Sequence, residues 1–407
     1  MDAYEVNRAR AKLALFVAYV FASVPRKDQR AKGDCYLRGL MLDGRRKSIQ
    51  PMAERLPDGN EQNLQQFVNQ STWDPVPVQR RIAERMVPQV SPAAWAVDDV
   101  SFPKDGKMSV AVAPQYCGAL GKQANCQVAV SVHAVSDAAS CPVQWRLFVP
   151  QEWVDDSARR RKTGIPQEIG HREKWRLALD IIDELAGWGL LPPVLVADAG
   201  YGQNADFRDG LEGRGIRYVV AVRSDVTAHP HDAEPVTPLW SGNGRKPQPR
   251  YRDKPSPVAA LATGHGRQAF TEVTWREGSR GPMRSHFLAL RVRPAGVRVR
   301  RLARAATARD GCWDGVLPEV TLLVEWPEGA EAPTGYWLTN LPASTAVAEL
   351  VRLAKIRWRI EHDYRELKHG LGLDHFEGRS WTGWHHHVTL VTAAHAFLTE
   401  QRLVGLR

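Results

Sequence analysis

Val194-Leu195-Val196-Ala197-Asp198 is the stretch that decides the fold. A short apolar run closed by a polar residue reads as a strand buried on both faces. A helical pattern follows near 203–213, and then a second apolar run, Tyr218–Val222. Strand, helix and strand in that order imply a crossover between parallel strands, and hence an α/β class. Just upstream, residues 171–188 read as an amphipathic helix ended by Gly187 and Gly189.

Further upstream the texture is strand-like at Trp95–Val100, Ser109–Pro114, Cys126–Val135 and Val143–Phe148. Short turns between them predict an antiparallel meander, with Val128, Val130 and Val132 alternating on one strand. Residues 1–90 read as mostly helical, with helices at 5–23, 30–42, 48–56, 60–70 and 77–87. Downstream, residues 226–335 are rich in Pro, Gly and Arg. Strand-like islands stand there at 269–276, 285–293 and 318–326, and helical signals are nearly absent. Residues 345–371 carry the longest helical pattern, and a last helix spans about 382–402. The expected organisation has four parts: a helical N-terminal domain (1–90), the first part of an α/β core (91–225), a β-rich insertion (226–335) and a helical second part of the core (336–407).

The chain has 407 residues, 43% of them hydrophobic, which is enough for two or three domains with a sizeable core. Its 55 Lys and Arg outnumber 45 Asp and Glu, a net charge of +10. That balance favours a polyanionic partner, most simply a nucleic acid. Basic clusters occur at Arg26, Lys27, Arg30 and Lys32 and at Arg45-Arg46-Lys47. A third set is Arg291, Arg293, Arg298, Arg300, Arg301 and Arg304, read as a basic ribbon that suits a nucleic-acid channel. A solvated helix surface, or charged edge strands, would look the same. Cys35, Cys117, Cys126, Cys141 and Cys312 lack paired spacing, so free thiols in a reducing cytoplasm are expected rather than a zinc site. The apolar patch Leu13–Ala22 is too short to span a membrane and lacks a cleavage site, so it reads as a core helix.

Three carboxylates stand out. Asp98 closes Ala94-Trp95-Ala96-Val97, Asp198 closes the strand above, and Glu361 lies in the helical run Ile356-Arg357-Trp358-Arg359-Ile360-Glu361. Two strand-end aspartates and a helical glutamate can hold two divalent cations for in-line displacement at phosphorus. Either aspartate alone more often caps the next helix. At about 100° per residue, Glu361 lies about 40° from Arg357, and Lys368 about 20° from Arg357 on the same side. Tyr364 falls within that stripe, beside an apolar one of Ile356, Ile360, Leu367 and Leu371. Arg357 and Lys368 therefore flank the glutamate, either to hold phosphates or simply as a solvated ion-pair face.

These residues resemble the DDE-superfamily transposases of bacterial insertion sequences. They are most similar to the group whose glutamate helix carries a Tyr-x2-Arg-x3-Glu-x6-Lys signature. Arg357-x3-Glu361-x6-Lys368 matches it, whereas position 354, where the tyrosine should fall, is Ala. Tyr364 is the candidate to fill that space. Further family-like stretches are Val97-Asp98-Asp99-Val100-Ser101-Phe102-Pro103-Lys104, Gln115-Tyr116-Cys117-Gly118, Val196–Gly202, Tyr336–Pro342, Gly372–Phe376 and Arg379-Ser380-Trp381.

The resemblance implies a ribonuclease-H-like mixed sheet flanked by helices, interrupted by an insertion before the glutamate. It implies Asp98, Asp198 and Glu361 as catalytic metal ligands for Mg²⁺, with Mn²⁺ as a substitute. It implies Arg357 and Lys368 as contacts to transposon-end DNA. The expected partners are double-stranded DNA, at transposon ends and target, and a second copy of the chain as a homodimer on DNA. The setting is cytoplasmic, with no membrane. Asp99 directly follows Asp98, and the small-hydroxyl position two residues after Asp98 is Val100, with the hydroxyl at Ser101. Asp98 is preferred because it ends the apolar run, and Asp99 stays as the alternative. A decayed or repurposed DNA-binding relative, or a ribonuclease-H-like nuclease without strand transfer, are the competing functions.

His385-His386-His387 cannot converge on one metal from a helix, so they are expected as separate surface or core side chains. Trp275 and Trp313 are candidates to stack on unpaired bases, with packing as the default.

Overall fold

The computed structural model describes residues 3–278, 281–307 and 313–405. They form two compact units, one of residues up to 192 together with those from 358 onward, the other of residues 193–357.

The first unit begins with five helices, α1 (Ala3–Val20), α2 (Lys27–Met41), α3 (Ile49–Arg55), α4 (Glu61–Asn69) and α5 (Pro75–Val90). Their starts obey simple chemistry. Asn60 and Asp74 accept the N–H groups of Asn63 and Val76 at 2.8 and 3.0 Å, and Pro75 occupies a first-turn position where no N–H is needed. Four strands follow, β1 (Ala94–Pro103), β2 (Ala113–Cys117), β3 (Lys122–Val135) and β4 (Ser140–Leu147). They are antiparallel as expected, but not a simple meander. The long β3 pairs with β1 on one side, and with β2 and then β4 on the other. Every β3 residue from Cys126 to Val135 is buried, because both faces of this sheet are covered. On one face lies α8 (Lys174–Gly187), after the short helices α6 (Gln151–Asp155) and α7 (Ser157–Thr163). There Glu184 accepts from Gln144 and Arg146 of β4 at 2.6 and 2.7 Å. On the other face lies the C-terminal helix Trp381–Gly405, where Thr392 accepts from the Trp145 indole at 3.0 Å. Arg85 of α5 also pairs with Glu400 of that helix at 2.6 Å.

The second unit opens with β5 (Leu195–Ala197), α9 (Ala199–Gly202), α10 (Ala205–Glu212) and β6 (Tyr218–Ala221). β5 and β6 are parallel, with Leu195 beside Tyr218 and Ala197 beside Val220, so the crossover read from the sequence is present. Gly202 sits against β6, where an added Cβ would lie 2.1 Å from the Ala221 carbonyl oxygen and 2.8 Å from Val220 Cβ. Backbone cannot yield as a flexible side chain does. Gly202→Ala is therefore expected to cost about 1–3 kcal/mol, read as a lower urea midpoint.

The rest of this unit is β-rich. It contains β7 (Thr227–Pro230), the two-stranded ribbon of β8 (Pro235–Val236) and β9 (Arg250–Tyr251), β10 (Ser256–Pro257), β11 (Thr271–Gly278), β12 (Gly281–Pro294), β13 (Val320–Trp326) and β14 (Gly335–Thr339). The strand order is β10-β7-β12-β13-β14-β6-β5, with β11 at the side of β12. Val292, Leu322, Val324 and Leu338 build its core with Phe270 and Trp326. Parallel and antiparallel pairs with covering helices make the mixed α/β class expected from the sequence.

Two helices were not legible in this region, α11 (Val258–Gly264) and α12 (Val297–Thr307). The arginines 298, 300, 301 and 304 thus sit on a helix and not on a ribbon. Arg298 is paired with Asp206, and Arg291 and Arg293 with Glu319. The run 345–371 is not one helix either. It divides into α13 (Val347–Lys355), α14 (Trp358–Arg365) and a π-helical turn, Glu366–Gly370. No Pro or Gly stands at the Ile356–Arg357 break, so local propensity gave no warning of it. The C-terminal helix Trp381–Gly405 is α15.

Cys35, Cys117, Cys126 and Cys141 are buried free thiols, and Cys312 lies outside the described residues. Among the described residues, no helix is long and apolar enough to cross a membrane.

Candidate active site

Strand β1 carries both candidate first carboxylates, and its register separates them. Asp98 faces Ser131 of β3, which in turn faces Trp145 of β4. Asp99 faces Val130, which faces Arg146. Directly opposed residues share a sheet face, and neighbours along a strand point to opposite faces. Asp99 therefore belongs to the α8 side, where its Oδ2 accepts from Lys174 Nζ at 2.8 Å. Asp98 belongs to the side that carries α14, because Ser131 Oγ lies 2.7 Å from the hydroxyl of Tyr364. Glu361 is exposed on the same short helix, one turn before Tyr364. The structure thus brings the Asp98 face of the sheet and the glutamate helix together.

Asp198 belongs to the second unit. It follows β5, and its Oδ1 accepts the N–H of Tyr201 at 3.3 Å as the N-cap of α9. The capping role weighed for a strand-end aspartate is thus present, and its carboxylate is half-buried. Arg357 ends the second unit at the turn after α13. Lys368 sits in the π-turn, donates to the Ser101 carbonyl of β1 at 2.9 Å and lies 5.6 Å from the centre of the Phe102 ring. Burial holds its ammonium below the usual lysine range. The missing signature tyrosine leaves Ala354 buried in α13.

The face of α14 away from Glu361 holds a group that the sequence reading did not single out. Asp363 is 1% exposed. It accepts from His133 Nδ1 at 2.7 Å and from Ser140 Oγ at 2.6 Å. His133 Nε2 accepts from Ser131 Oγ at 2.9 Å, and Ser131 Oγ accepts from the Tyr364 hydroxyl. This direction of donation needs a neutral His133 with its proton on Nδ1, and burial indeed pushes that imidazole below its usual range. Nearby, Glu366 pairs with Arg402 at 2.8 Å and with His395 at 3.3 Å. Burial opposes its ionised form, but these two partners hold its carboxyl down to about 2. His362, Asp363 and Glu366 offer ligand atoms within 4.8 Å of one another, yet the two carboxylates are already committed to these partners. One signal was available. Position 363 falls in the apolar stripe of Ile356, Ile360 and Leu367, and a charge at a core position must find a partner.

The three consecutive histidines diverge as expected. His386 lies between the Val68 and Trp73 carbonyls, and His387 between the Tyr36 hydroxyl and the Gly372 carbonyl at 3.0 and 3.1 Å. Burial pulls the His387 imidazole down to about 3. Its folded value lies below the unfolded 6.5, so the unfolded chain binds the extra proton as pH falls. The contribution of the neutral His387 to stability is then intact above pH 6.5 and falls by about 1.4 kcal/mol per pH unit below it, until the folded value is reached. Urea unfolding at pH 7, 6 and 5 is expected to show this loss, with a smaller slope in His387→Asn.

The candidate stacking residues are packed. Trp275 meets Phe287 edge-on at 5.8 Å with Lys355 over its ring, and Trp313 packs with Ala303 and Leu317.

Residues 19–282 match the family described as DDE superfamily endonuclease, and residues 169–397 match the transposase DDE domain. The chain belongs to the DDE endonuclease superfamily. It is also 27% identical over 191 residues to the probable transposase for insertion sequence element IS701 of Microchaete diplosiphon. That alignment covers 46% of this DDE chain and 47% of the relative, so the chain spans about half the length of the curated relative it matches. Asp98 lies in the first matched segment, Glu361 in the second and Asp198 in both.

Proposed function

We propose that this chain is a DNA transposase of an insertion sequence, which cuts DNA at the element's ends and joins the freed 3′-hydroxyl to target DNA. Asp98, Asp198 and Glu361 would hold the metal ions. The observation that carries this reading is the shared side of Asp98 and the Glu361 helix, tied through Ser131 and Tyr364. The donor set fits a hard cation, since all three residues offer carboxylate oxygens. Bound there, Mg²⁺ (or Mn²⁺) supplies activation of a hydroxyl nucleophile and charge stabilisation at the leaving oxygen. The carboxylates contribute the negative charge that selects such ions. Arg357 and Lys368 would neutralise and orient the phosphates beside them. A net charge of +10 favours the approach of DNA. The helical N-terminal segment, residues 1–90, with its basic clusters, would bind DNA outside the site. Two ends cut together call for a homodimer on DNA, working in the cytoplasm on the nucleoid.

The test uses purified protein and linear DNA carrying the element's ends, in Mg²⁺, Mn²⁺ or EDTA. Cleavage at the ends and joined products are expected only with metal, and both disappear in Asp198→Ala and Glu361→Gln. Binding without nicking in either metal overturns the enzyme and leaves a DNA-binding relative. Cleavage without joined products leaves a nuclease.

A further inference from the structure

We propose that Tyr364 is the positioning residue for Glu361, acting through a closed ring of hydrogen bonds that sets the rotation of α14 over the Asp98 face. The inference rests on reading Glu361 as a metal ligand. The ring starts and ends on α14. Tyr364 O–H donates to Ser131 Oγ at 2.7 Å, Ser131 O–H to His133 Nε2 at 2.9 Å, and His133 Nδ1–H to Asp363 Oδ2 at 2.7 Å. Asp363 and Tyr364 are neighbours in sequence, and Ser131 and His133 stand two apart on β3, on one face. Two adjacent helix residues point about 100° apart. Bonded to two fixed points on one strand, they leave the helix no freedom to roll about its axis.

That restraint matters because α14 is short and irregular at both ends. It is 8 residues long, follows a break in the helix and passes into a π-turn. Helices this short are marginal without tertiary anchors, and π-turns mark places where a ladder shifts register. Tyr364 lies on the flank of α14 between Glu361 and the buried Asp363, so its hydroxyl fixes the flank nearest the glutamate. Ser131 is the residue opposite Asp98. One hydrogen bond therefore references the glutamate helix to the strand position of its partner carboxylate. Supporting groups of this kind typically change metal affinity about 10–100-fold when removed.

The experiment measures Mn²⁺ binding to the full chain by electron paramagnetic resonance, with no DNA present, alongside thermal unfolding. Tyr364→Phe and Ser131→Ala are compared with Ser140→Ala, which removes a bond of 2.6 Å to the same Asp363 outside the ring. Tyr364→Phe and Ser131→Ala are expected to weaken Mn²⁺ binding about tenfold. Ser140→Ala should cost similar thermal stability yet leave binding within about twofold, outside the range expected for a ligand's supporting group. Equal effects of all three variants, or unchanged binding in Tyr364→Phe and Ser131→Ala, overturn the proposal. Wild-type chain that binds no Mn²⁺, or Glu361→Gln that binds it as tightly, overturns the metal-ligand reading itself and the proposal with it. If Tyr364→Phe does not fold, Ser131→Ala carries the decision.

Discussion

Asp98→Asn is expected to lower metal-dependent DNA cleavage by at least about a thousandfold, the effect of losing several kcal/mol of charge stabilisation at the reacting phosphate. Asp99→Asn, one residue along, should leave the rate within about tenfold, or less than about 1.4 kcal/mol of the barrier. The contrast follows from the strand period of two. Asp98 shares its face with Ser131 and Trp145, beneath α14 and α15, whereas Asp99 shares its face with Val130 and Arg146, beneath α8. Asp99 is also engaged, 2.8 Å from Lys174, with both side chains about one-third exposed. A pair at that exposure contributes about 1 kcal/mol or less, so its loss should barely move stability. DNA binding should survive in Asp98→Asn, since removing a negative charge reduces repulsion with phosphate. Single-turnover cleavage at saturating DNA separates the two variants. A dead Asp99→Asn beside an active Asp98→Asn would transfer the catalytic role to the other face and detach it from the glutamate helix.

What the sequence made legible is what depends on local pattern. Val194–Ala197 and Tyr218–Val222 are apolar runs of strand length around a helix, and they pair in parallel as that arrangement demands. The five N-terminal helices are bracketed by Pro, Gly and capping residues, and lie close to where those residues put them. The strand-end position of Asp198 was readable for the same reason, whereas Asp98, expected at a strand end, lies in the middle of β1, which continues to Pro103. The misses depend on distant partners. Val297-Arg298-Val299-Arg300-Arg301 looks like an edge strand because valine favours strands, yet it forms α12, with Arg298 paired to Asp206 far back in the chain. The break at Ile356–Arg357 has no local cause in the sequence. Which of two adjacent aspartates faces the glutamate helix was undecidable locally, because the answer is a strand register and a lysine 75 residues away. The Tyr364–Ser131 and Asp363–His133 bonds link residues more than 200 positions apart, although the charge at 363 in an apolar stripe had advertised that a partner must exist.

The second large effect concerns that partner. His133→Ala is expected to destabilise the first unit by about 3–5 kcal/mol, because it leaves the Asp363 carboxylate buried with one main partner removed. His133 is fully buried and Asp363 is 1% exposed, so water cannot replace the lost bond. The same truncation removes edge contacts to Trp145 and Tyr364, at 5.8 and 5.3 Å between ring centres. Against a typical domain stability of about 5–15 kcal/mol, this is a large fraction, and calorimetry should show it as a fall in the lowest unfolding transition. The double variant His133→Leu with Asp363→Leu tests the cause. If the penalty is the orphaned carboxylate, replacing both partners by apolar groups should recover part of the stability. If the penalty is lost packing alone, the double variant should be no better than the sum of its parts. Recovered stability without recovered Mn²⁺ binding would further separate what this buried pair contributes to folding from what it contributes to the placement of Glu361. A protein needing only a stable core at this point would be served as well by two leucines. One that must hold a short helix at a fixed rotation needs the directional bonds that Asp363, His133, Ser131 and Tyr364 provide.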